Sequence, residues 1–157
     1  HQPAQHLEIQ GLVSRSSFGM VRQKAQGFDA NRLALLIAVL EKRLELNLYD
    51  KDVFLNVVGG VKIFDPAADL AVCLAIASGL LDKPIDFQIA VLGEVGLSAE
   101  IRSVSQIAVR VQEAEKLGFK KCIIPKNNSK AVKDLKTKTI DIVAVESVRE
   151  ALDLIRT

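Results

Sequence analysis

The sequence predicts one α/β (α+β) domain, because strand-like and helix-like patterns alternate along nearly all of its 157 residues. Strand segments place apolar residues at every second position, and helix segments place them at every third or fourth. Hydrophobic residues make up 49% of the chain and aromatic residues 4%, so aliphatic side chains should form the core. Residues 7–157 are expected to form the domain, and residues 1–6, with His1 and His6, a frayed or vector-derived terminus.

The predicted elements are mixed along the chain rather than grouped by type. Strands are expected over residues 7–13, 20–27, 52–58, 88–92, 100–104, 121–124 and 140–145. Helices are expected over residues 29–47, 66–81, 106–117, 129–135 and from 147 onwards. Residues 14–19 should be a turn-rich loop, and Gly59 and Gly60 permit a bend before residues 61–63.

Capping residues mark where the two longest helices begin. Asp29 can cap a helix whose apolar stripe is Leu33, Leu36, Ile37, Leu40 and Leu44. Asp65 followed by Pro66 is an N-cap with proline at the first helical position, where a missing N–H costs nothing. The helix that follows is apolar on nearly every side, which predicts a buried central helix.

Similar signals define the helices of the second half. The helix over residues 106–117 has a stripe of Ile107, Val111, Ala114 and Leu117, and Gly118 closes it. Ser147 and Glu150 form a capping box that opens the final helix.

Composition and motifs exclude several classes of function. There is no phosphate loop for nucleotide binding, no paired CxxC for zinc, and no apolar run of the ~18 residues that a membrane span needs. Cys73 and Cys122 lie in apolar runs, which predicts buried, reduced thiols in a cytoplasmic protein. The formal net charge of +2 is too small for a surface that is basic all round.

Lysines are concentrated in the last third of the chain, where the only acid among them is Asp134. They are Lys120, Lys121, Lys126, Lys130, Lys133, Lys136 and Lys138. Such a cluster can hold nucleic-acid phosphates, and it can equally be an ordinary solvated face. Further candidates for DNA contact are Arg15, Arg22, Lys24 and Lys62. No aromatic residue interleaves with these cations along the sequence, which favours contact with the DNA backbone over base stacking.

A family resemblance runs through the chain in order. Its motifs are EIQGLV (8–13), SSFG (16–19), GFDANRL (27–33), VLEKR (39–43), VGGVK (58–62), GEVGL (93–97), RVQEA (110–114), LGFK (117–120) and IPKNN (124–128). In these motifs the chain resembles the C-terminal Lon-protease-like domains of the bacterial RadA (Sms) family. The resemblance implies the Lon proteolytic-domain fold, of the ribosomal protein S5 domain 2-like kind.

The resemblance also places alanines where a Lon-type peptidase has its reactive pair. Ala67 takes the position of the nucleophilic serine and Ala108 that of the lysine, so no acyl transfer is expected. The alternative is a peptidase that uses Ser98, Ser103 or Ser105 with a lysine, or a vacated groove that still holds peptides. Asp69 is interpreted as a first-turn acid placed favourably at the positive end of its helix.

For the parent protein, the resemblance implies an ATPase that acts in DNA repair and homologous recombination by branch migration. ATP, magnesium and zinc would belong to upstream domains, and this chain itself would hold no cofactor. The implied partners are further copies in a hexameric ring, DNA, and the RecA recombinase. The implied role of this chain is a non-catalytic ring scaffold and DNA-contacting platform in the cytoplasm.

Overall fold

The computed structural model describes residues 8–17, 20–58, 65–86 and 88–156. The strands are β1 (Glu8–Arg15), β2 (Gln23–Gln26), β3 (Lys51–Val58), β4 (Ile89–Val91), β5 (Glu94–Val95), β6 (Ile101–Arg102), β7 (Lys121–Pro125) and β8 (Asp141–Val145). The helices are α1 (Ala30–Leu44), α2 (Asp69–Leu81), α3 (Ile107–Lys116), α4 (Ser129–Val132) and α5 (Val148–Arg156). This mixed architecture confirms the predicted α/β class.

The first sheet has the strand order β1-β3-β2, with β1 antiparallel and β2 parallel to the central strand. Its period-two pattern separates two faces, as the alternation along β1 predicts. Ile9 and Val13 on β1, with Val53 and Leu55 on β3, turn towards α1 and α2 and join the main core. The opposite face carries Leu12, which is 62% exposed.

Helix α2 is the buried centre of the molecule, which confirms the prediction from its all-round apolar sequence. Every residue from Leu70 to Ala77 except Ala71 is buried. The helix packs closely on β1 because Gly11 has no side chain: a Cβ there would lie 3.1 Å from the carbonyl oxygen of Ala75. The capping aspartates also act as predicted, since Asp29 accepts from the Arg32 amide and Asp65 from the Ala67 amide, each at 3.0 Å.

The second sheet is parallel, with the order β4-β7-β8, and it separates two cores. Alternate residues of β7 point to opposite faces. Ile123 joins the main core with α2 and α5, whereas Cys122 and Ile124 join a smaller core with α3 and α4. Both cysteines are buried and unpaired, as predicted.

Several element boundaries differ from the sequence predictions. Helix α1 ends at Leu44 rather than near Asn47, because Glu45 adopts a left-handed conformation with φ of 56°. The expected strand over residues 100–104 is only β6, paired with β5 in a two-stranded hairpin that the sequence did not indicate. Leu117 is 51% exposed and so does not belong to the buried stripe of α3.

Some predictions fall outside the described residues. These are the terminus over residues 1–6, part of the loop at Phe18 and Gly19, the bend at Gly59 and Gly60, and the segment 61–63 with Lys62. Within the described ranges, no helix has the length and apolar content to cross a bilayer, and no cluster of potential metal ligands occurs.

Candidate functional site

The start of α2 is fixed by an ion pair that joins it to α3. Besides capping the Ala67 amide, the Asp65 carboxylate accepts a hydrogen bond from Arg110 Nη1 at 3.2 Å. Both side chains are 13% exposed, so water screens the pair only in part. Arg110 Nε also donates to the Ser105 carbonyl at 2.8 Å, which fixes the plane of the guanidinium.

Ala67 lies in a tight backbone junction with the segment that precedes β5. The Gly93 amide donates to the Ala67 carbonyl, and the Leu70 amide donates to the Gly93 carbonyl, each at 3.0 Å. A Cβ at Gly93 would lie 2.8 Å from Cγ2 of Ile101, so only glycine fits without movement. Ala67 itself is 3% exposed, and its methyl group cannot act as a nucleophile.

The remaining candidates for a reactive pair do not come together. Ala108 is half-buried in the first turn of α3. Ser98, Ser103 and Ser105 are exposed. In the part of the chain that the structure describes, no hydrogen bond joins any of the three hydroxyls to a lysine. None of these three serines therefore has a lysine in reach to act as its base.

Asp69 has a stronger role than its position at a helix end predicts. Its carboxylate is buried and receives Arg32 Nε on one oxygen at 3.1 Å and Arg32 Nη2 on the other. The Val95 amide also donates to Asp69 at 3.1 Å. The bond to Asp69 raises the pKa of Arg32 above its ordinary value, against the opposing effect of burial. A bidentate pair of this kind ties α1, α2 and β5 together.

An apolar cavity of about 510 Å³ opens beside Ala67. Small side chains on one side of α2, at Ala67, Ala71 and Ala75, leave this space between the helix and strands β1 and β4. The polar residues at its boundary are Glu8, Gln10, Asp65, Asp86, Arg110 and Glu113. Since Arg110 is paired with Asp65, the boundary is acidic.

The lysines of the last third do not form one continuous patch. Lys120 and Lys121 lie at the amino end of β7, and Lys126 follows its carboxyl end, roughly 17 Å away at the usual rise per residue. Lys126 is paired with Glu146 at 3.2 Å. Lys130 and Lys133 are exposed beside the short helix α4, while Lys136 and Lys138 are exposed on the way back to β8.

The candidates near the first loop lie on or beside the first sheet. Arg15 ends β1 and is exposed, and Lys24 lies on β2 with an exposed side chain. Arg22 is held by the buried Asp52, to which its amide donates at 2.8 Å and its Nη2 at 3.1 Å. Cζ of Arg22 lies 5.4 Å from the ring centroid of Phe54. One aromatic ring therefore does lie against a basic side chain of this group, contrary to the expectation from sequence.

Sequence reasoning missed the partners that fix these residues. Arg32, Arg110 and Phe54 each meet their partner through tertiary packing over long sequence separations. The sequence singled out Asp65, Asp69 and Arg22, but not the residues that they contact. No local sequence pattern predicts which arginines will form ion pairs, or with which acids.

A comparison against known families identifies the fold. The family model of the Lon protease (S16) C-terminal proteolytic domain matches residues 38–157. The chain belongs to this family, which confirms the expected Lon proteolytic-domain fold.

Individual relatives show which group of Lon-type domains the chain resembles. The chain is 48% identical over 146 residues to the DNA repair protein RadA of Listeria monocytogenes, covering 93% of this chain and 32% of the relative. It is 49% identical over 146 residues to RadA of Bacillus subtilis, covering 93% and 31%. For RadA of Streptococcus pneumoniae the identity is 44% over 145 residues, covering 92% and 34%. The chain thus spans about a third of these relatives, and the resemblance to RadA-type Lon-like domains is confirmed.

Proposed function

We propose that this chain is a non-catalytic Lon-type domain that organises copies of a DNA repair protein into a ring and contacts DNA. The observation that carries the proposal is the site around Ala67. The family fold is that of a peptidase, and the residues at this site are a buried alanine and the Asp65–Arg110 ion pair, which supports a domain without reactive groups. A domain of this kind acts by binding rather than by covalent chemistry.

The absence of peptidase activity is tested directly with unfolded casein and a fluorogenic peptide. We expect no turnover above buffer. Turnover that is abolished by Ser98→Ala, Ser103→Ala or Ser105→Ala would overturn the non-catalytic assignment, because it would identify a nucleophile. The same three variants serve as matched controls for one another, since all three serines are exposed.

DNA contact is supported by the exposed cations of two regions. Lys130, Lys133, Lys136 and Lys138 on one side, and Arg15 and Lys24 on the other, have no ion pair with any described residue. Such ammonium and guanidinium groups can replace the counterions that surround a nucleic-acid backbone. Lys121 and Lys126 are weaker contributors, since Lys121 is half-buried and Lys126 is paired with Glu146, whereas Lys120 is exposed and has no ion pair with a described residue. Lys62 stays a candidate from sequence alone.

The remaining features of the proposal concern the parent protein. Its motor would be an ATPase that uses ATP and magnesium, with a zinc-binding segment, and it would drive branch migration in the cytoplasm beside the RecA recombinase. The relatives named DNA repair protein RadA support this role for the parent. Sedimentation velocity tests the ring: a hexamer is expected at high protein concentration, and a monomer at every concentration would remove the scaffold role.

The cavity beside Ala67 supports a second candidate function, the holding of an extended peptide. The Gln88 carbonyl accepts from the Lys120 amide just before β7, and the Leu92 amide donates to Ile123 on β7, each at 2.9 Å. Alternate residues of a parallel strand bond to the same neighbour, so Val91 directs its N–H and C=O to the outer edge of the sheet. That edge borders the apolar cavity, which suits strand addition. Isothermal titration with an apolar peptide that carries lysine distinguishes this candidate from DNA contact.

A further inference from the structure

The outer face of the first sheet carries two ordered rows of side chains. In the first row, Leu12 and Lys24 lie in register on either side of Phe54. In the second row, Gln10 and Gln26 lie in register on either side of Asn56. The two rows are about 7 Å apart, since they are separated by two residues along each strand. Together they line an open concavity of about 610 Å³.

The amide row has hydrogen-bonding capacity that the described part of the chain does not use. The side chains of Gln10, Gln26 and Asn56 make no hydrogen bond to any described residue. Each amide offers both a donor and an acceptor. Three amides in one line therefore present alternating donors and acceptors to a ligand that has both on one edge.

A planar cation, the guanidinium of Arg22, is held over the row of Leu12, Phe54 and Lys24. The Arg22 guanidinium lies over the Phe54 ring and is bonded to Asp52, yet its side chain remains 57% exposed. A guanidinium held in this way loses little conformational entropy when a flat ring stacks upon it. Lys24 lies next to Phe54 and has no ion pair with a described residue, so it is available to an anion.

We propose that this sheet face binds single-stranded nucleic acid through its bases. An unpaired base stacks on the Arg22–Phe54 pair. The edge of this base, or of the next base, forms hydrogen bonds with the amide row. Lys24 contacts the phosphate that links the two nucleotides. Base stacking on arginine planes and aromatic rings, with hydrogen bonds to exposed base edges, is how proteins hold unpaired strands.

The charges of the face favour this occupant over a protein. The two rows contain no acid. Of the two acids that flank them on this face, Asp52 is 2% exposed and bonded to Arg22, and Glu8, two residues before Gln10, is exposed at the rim. Only Leu12 and Phe54 in the rows are apolar, fewer than the core of a protein interface usually contains. A duplex cannot use the site, because its bases are paired and stacked inside the helix. The inference rests on the proposed DNA contact and adds a site and a strand preference to it.

The absence of tryptophan from the chain allows a clean reporter for stacking. The Phe54→Trp variant should lose fluorescence when oligothymidylate is added, and keep it with an abasic oligonucleotide of the same length or with duplex. The Leu97→Trp variant is the control, because Leu97 lies 62% exposed on the turn between β5 and β6, away from the first sheet. Quenching of both variants alike would overturn the inference.

A second experiment keeps the test independent of the reporter. Arg22→Lys retains the charge and removes the plane, so we expect affinity for oligothymidylate to fall by about tenfold, the size of one stacking contact. Arg149→Lys, an exposed arginine on α5, should leave it unchanged. If both variants match the native chain and the abasic strand binds equally well, phosphate contacts alone hold DNA. The inference then fails while the proposed function stands.

Two other results would also be decisive. If no nucleic acid binds at low ionic strength, the proposed DNA contact and the sheet site both fail. If the indole of the Phe54→Trp variant becomes shielded from iodide as protein concentration rises without nucleic acid, the face is an interface between copies and the inference is overturned.

Discussion

The single residue with the greatest structural consequence is Asp69. Its carboxylate is buried, and it connects α1 through Arg32 with β5 through the Val95 amide. Removing one member of a buried pair leaves the other charge without compensation, which costs more than the pair itself contributes. The chain therefore depends on this residue for the arrangement of three elements around α2.

The Asp69→Asn variant tests this role at nearly constant volume. We expect a loss of about 3 kcal/mol in the free energy of unfolding, since Arg32 would keep its charge and lose its bidentate acceptor. Urea denaturation followed by circular dichroism measures it. Asp153→Asn, on the exposed side of α5, is the matched control and should change stability little. Equal midpoints for the two variants would contradict the structural role of Asp69.

Glu115 gives the fold a dependence on pH. Its Oε2 accepts from the amides of Thr139, Lys138 and Ile140, at 2.7, 2.8 and 3.2 Å. These bonds, that of Thr139 first, hold the pKa of Glu115 below its ordinary value of 4.5. Because the folded-state pKa is the lower one, the contribution to stability is complete at neutral pH and disappears as the pH falls through it.

The Glu115→Gln variant should accordingly be less stable than the native chain at pH 7, and the difference should shrink below pH 4.5. Urea midpoints measured across this range provide the comparison. Glu41→Gln on α1 is the control, because the Glu41 carboxylate has no hydrogen-bond partner among the described residues. A difference for Glu115→Gln that stays constant with pH would show that its carboxylate does not titrate as described.

Among the elements, the junction between the start of α2 and the segment that precedes β5 depends on one glycine, Gly93. A methyl group at Gly93 would press on Ile101 and touch Leu70, so Gly93→Ala should lower stability by about 1–3 kcal/mol. At Gly118 there is open space, and φ of +93° is the only obstacle. Gly118→Ala should therefore cost about 1–2 kcal/mol through backbone strain alone. Thermal unfolding of both variants measures these losses of stability. A Gly93→Ala variant as stable as the native chain would contradict the tight junction.

Sequence patterns predicted the elements where the signal is local. The caps at Asp29 and Asp65, the buried α2 and the alternation of β1 all follow from spacing over a few residues. The predicted capping box is formed in part: the Glu150 amide donates to Ser147 Oγ at 3.1 Å, but the Glu150 carboxylate accepts from the Glu146 amide rather than from that of Ser147. The β5–β6 hairpin escaped prediction because two-residue strands contain too few positions for a period to show.

The candidate site could be predicted only in part, because most of its contacts join segments that are far apart in the sequence. The helix predicted from residue 66 begins in the structure as a 3-10 turn over Pro66–Ala68, which contains Ala67 and leads into α2. The ion pair of Asp65 with Arg110 arises from packing between distant segments. The row of Leu12, Phe54 and Lys24 depends on the register of three strands. Register and long-range pairing are properties of the assembled sheet rather than of any window of sequence.

For the whole molecule, we propose a peptidase framework that binds neighbours and DNA without covalent chemistry. The framework is given by the family match and the fold, and the binding role is supported by the exposed cations on two surfaces. The lysine and arginine side chains would contact phosphates, so the affinity should not depend on duplex sequence. Salt dependence is consequently the property that distinguishes such binding from adventitious adsorption.

The most direct test is the anisotropy of a labelled duplex titrated with the chain over a series of salt concentrations. We predict that the logarithm of the binding constant falls linearly with the logarithm of salt, and that Lys130→Gln combined with Lys133→Gln lowers the slope by about 2. Lys42→Gln with Lys116→Gln, on α1 and α3, is the matched control and should leave the slope unchanged. Absence of binding at low ionic strength, or a slope that no lysine variant alters, would contradict the account.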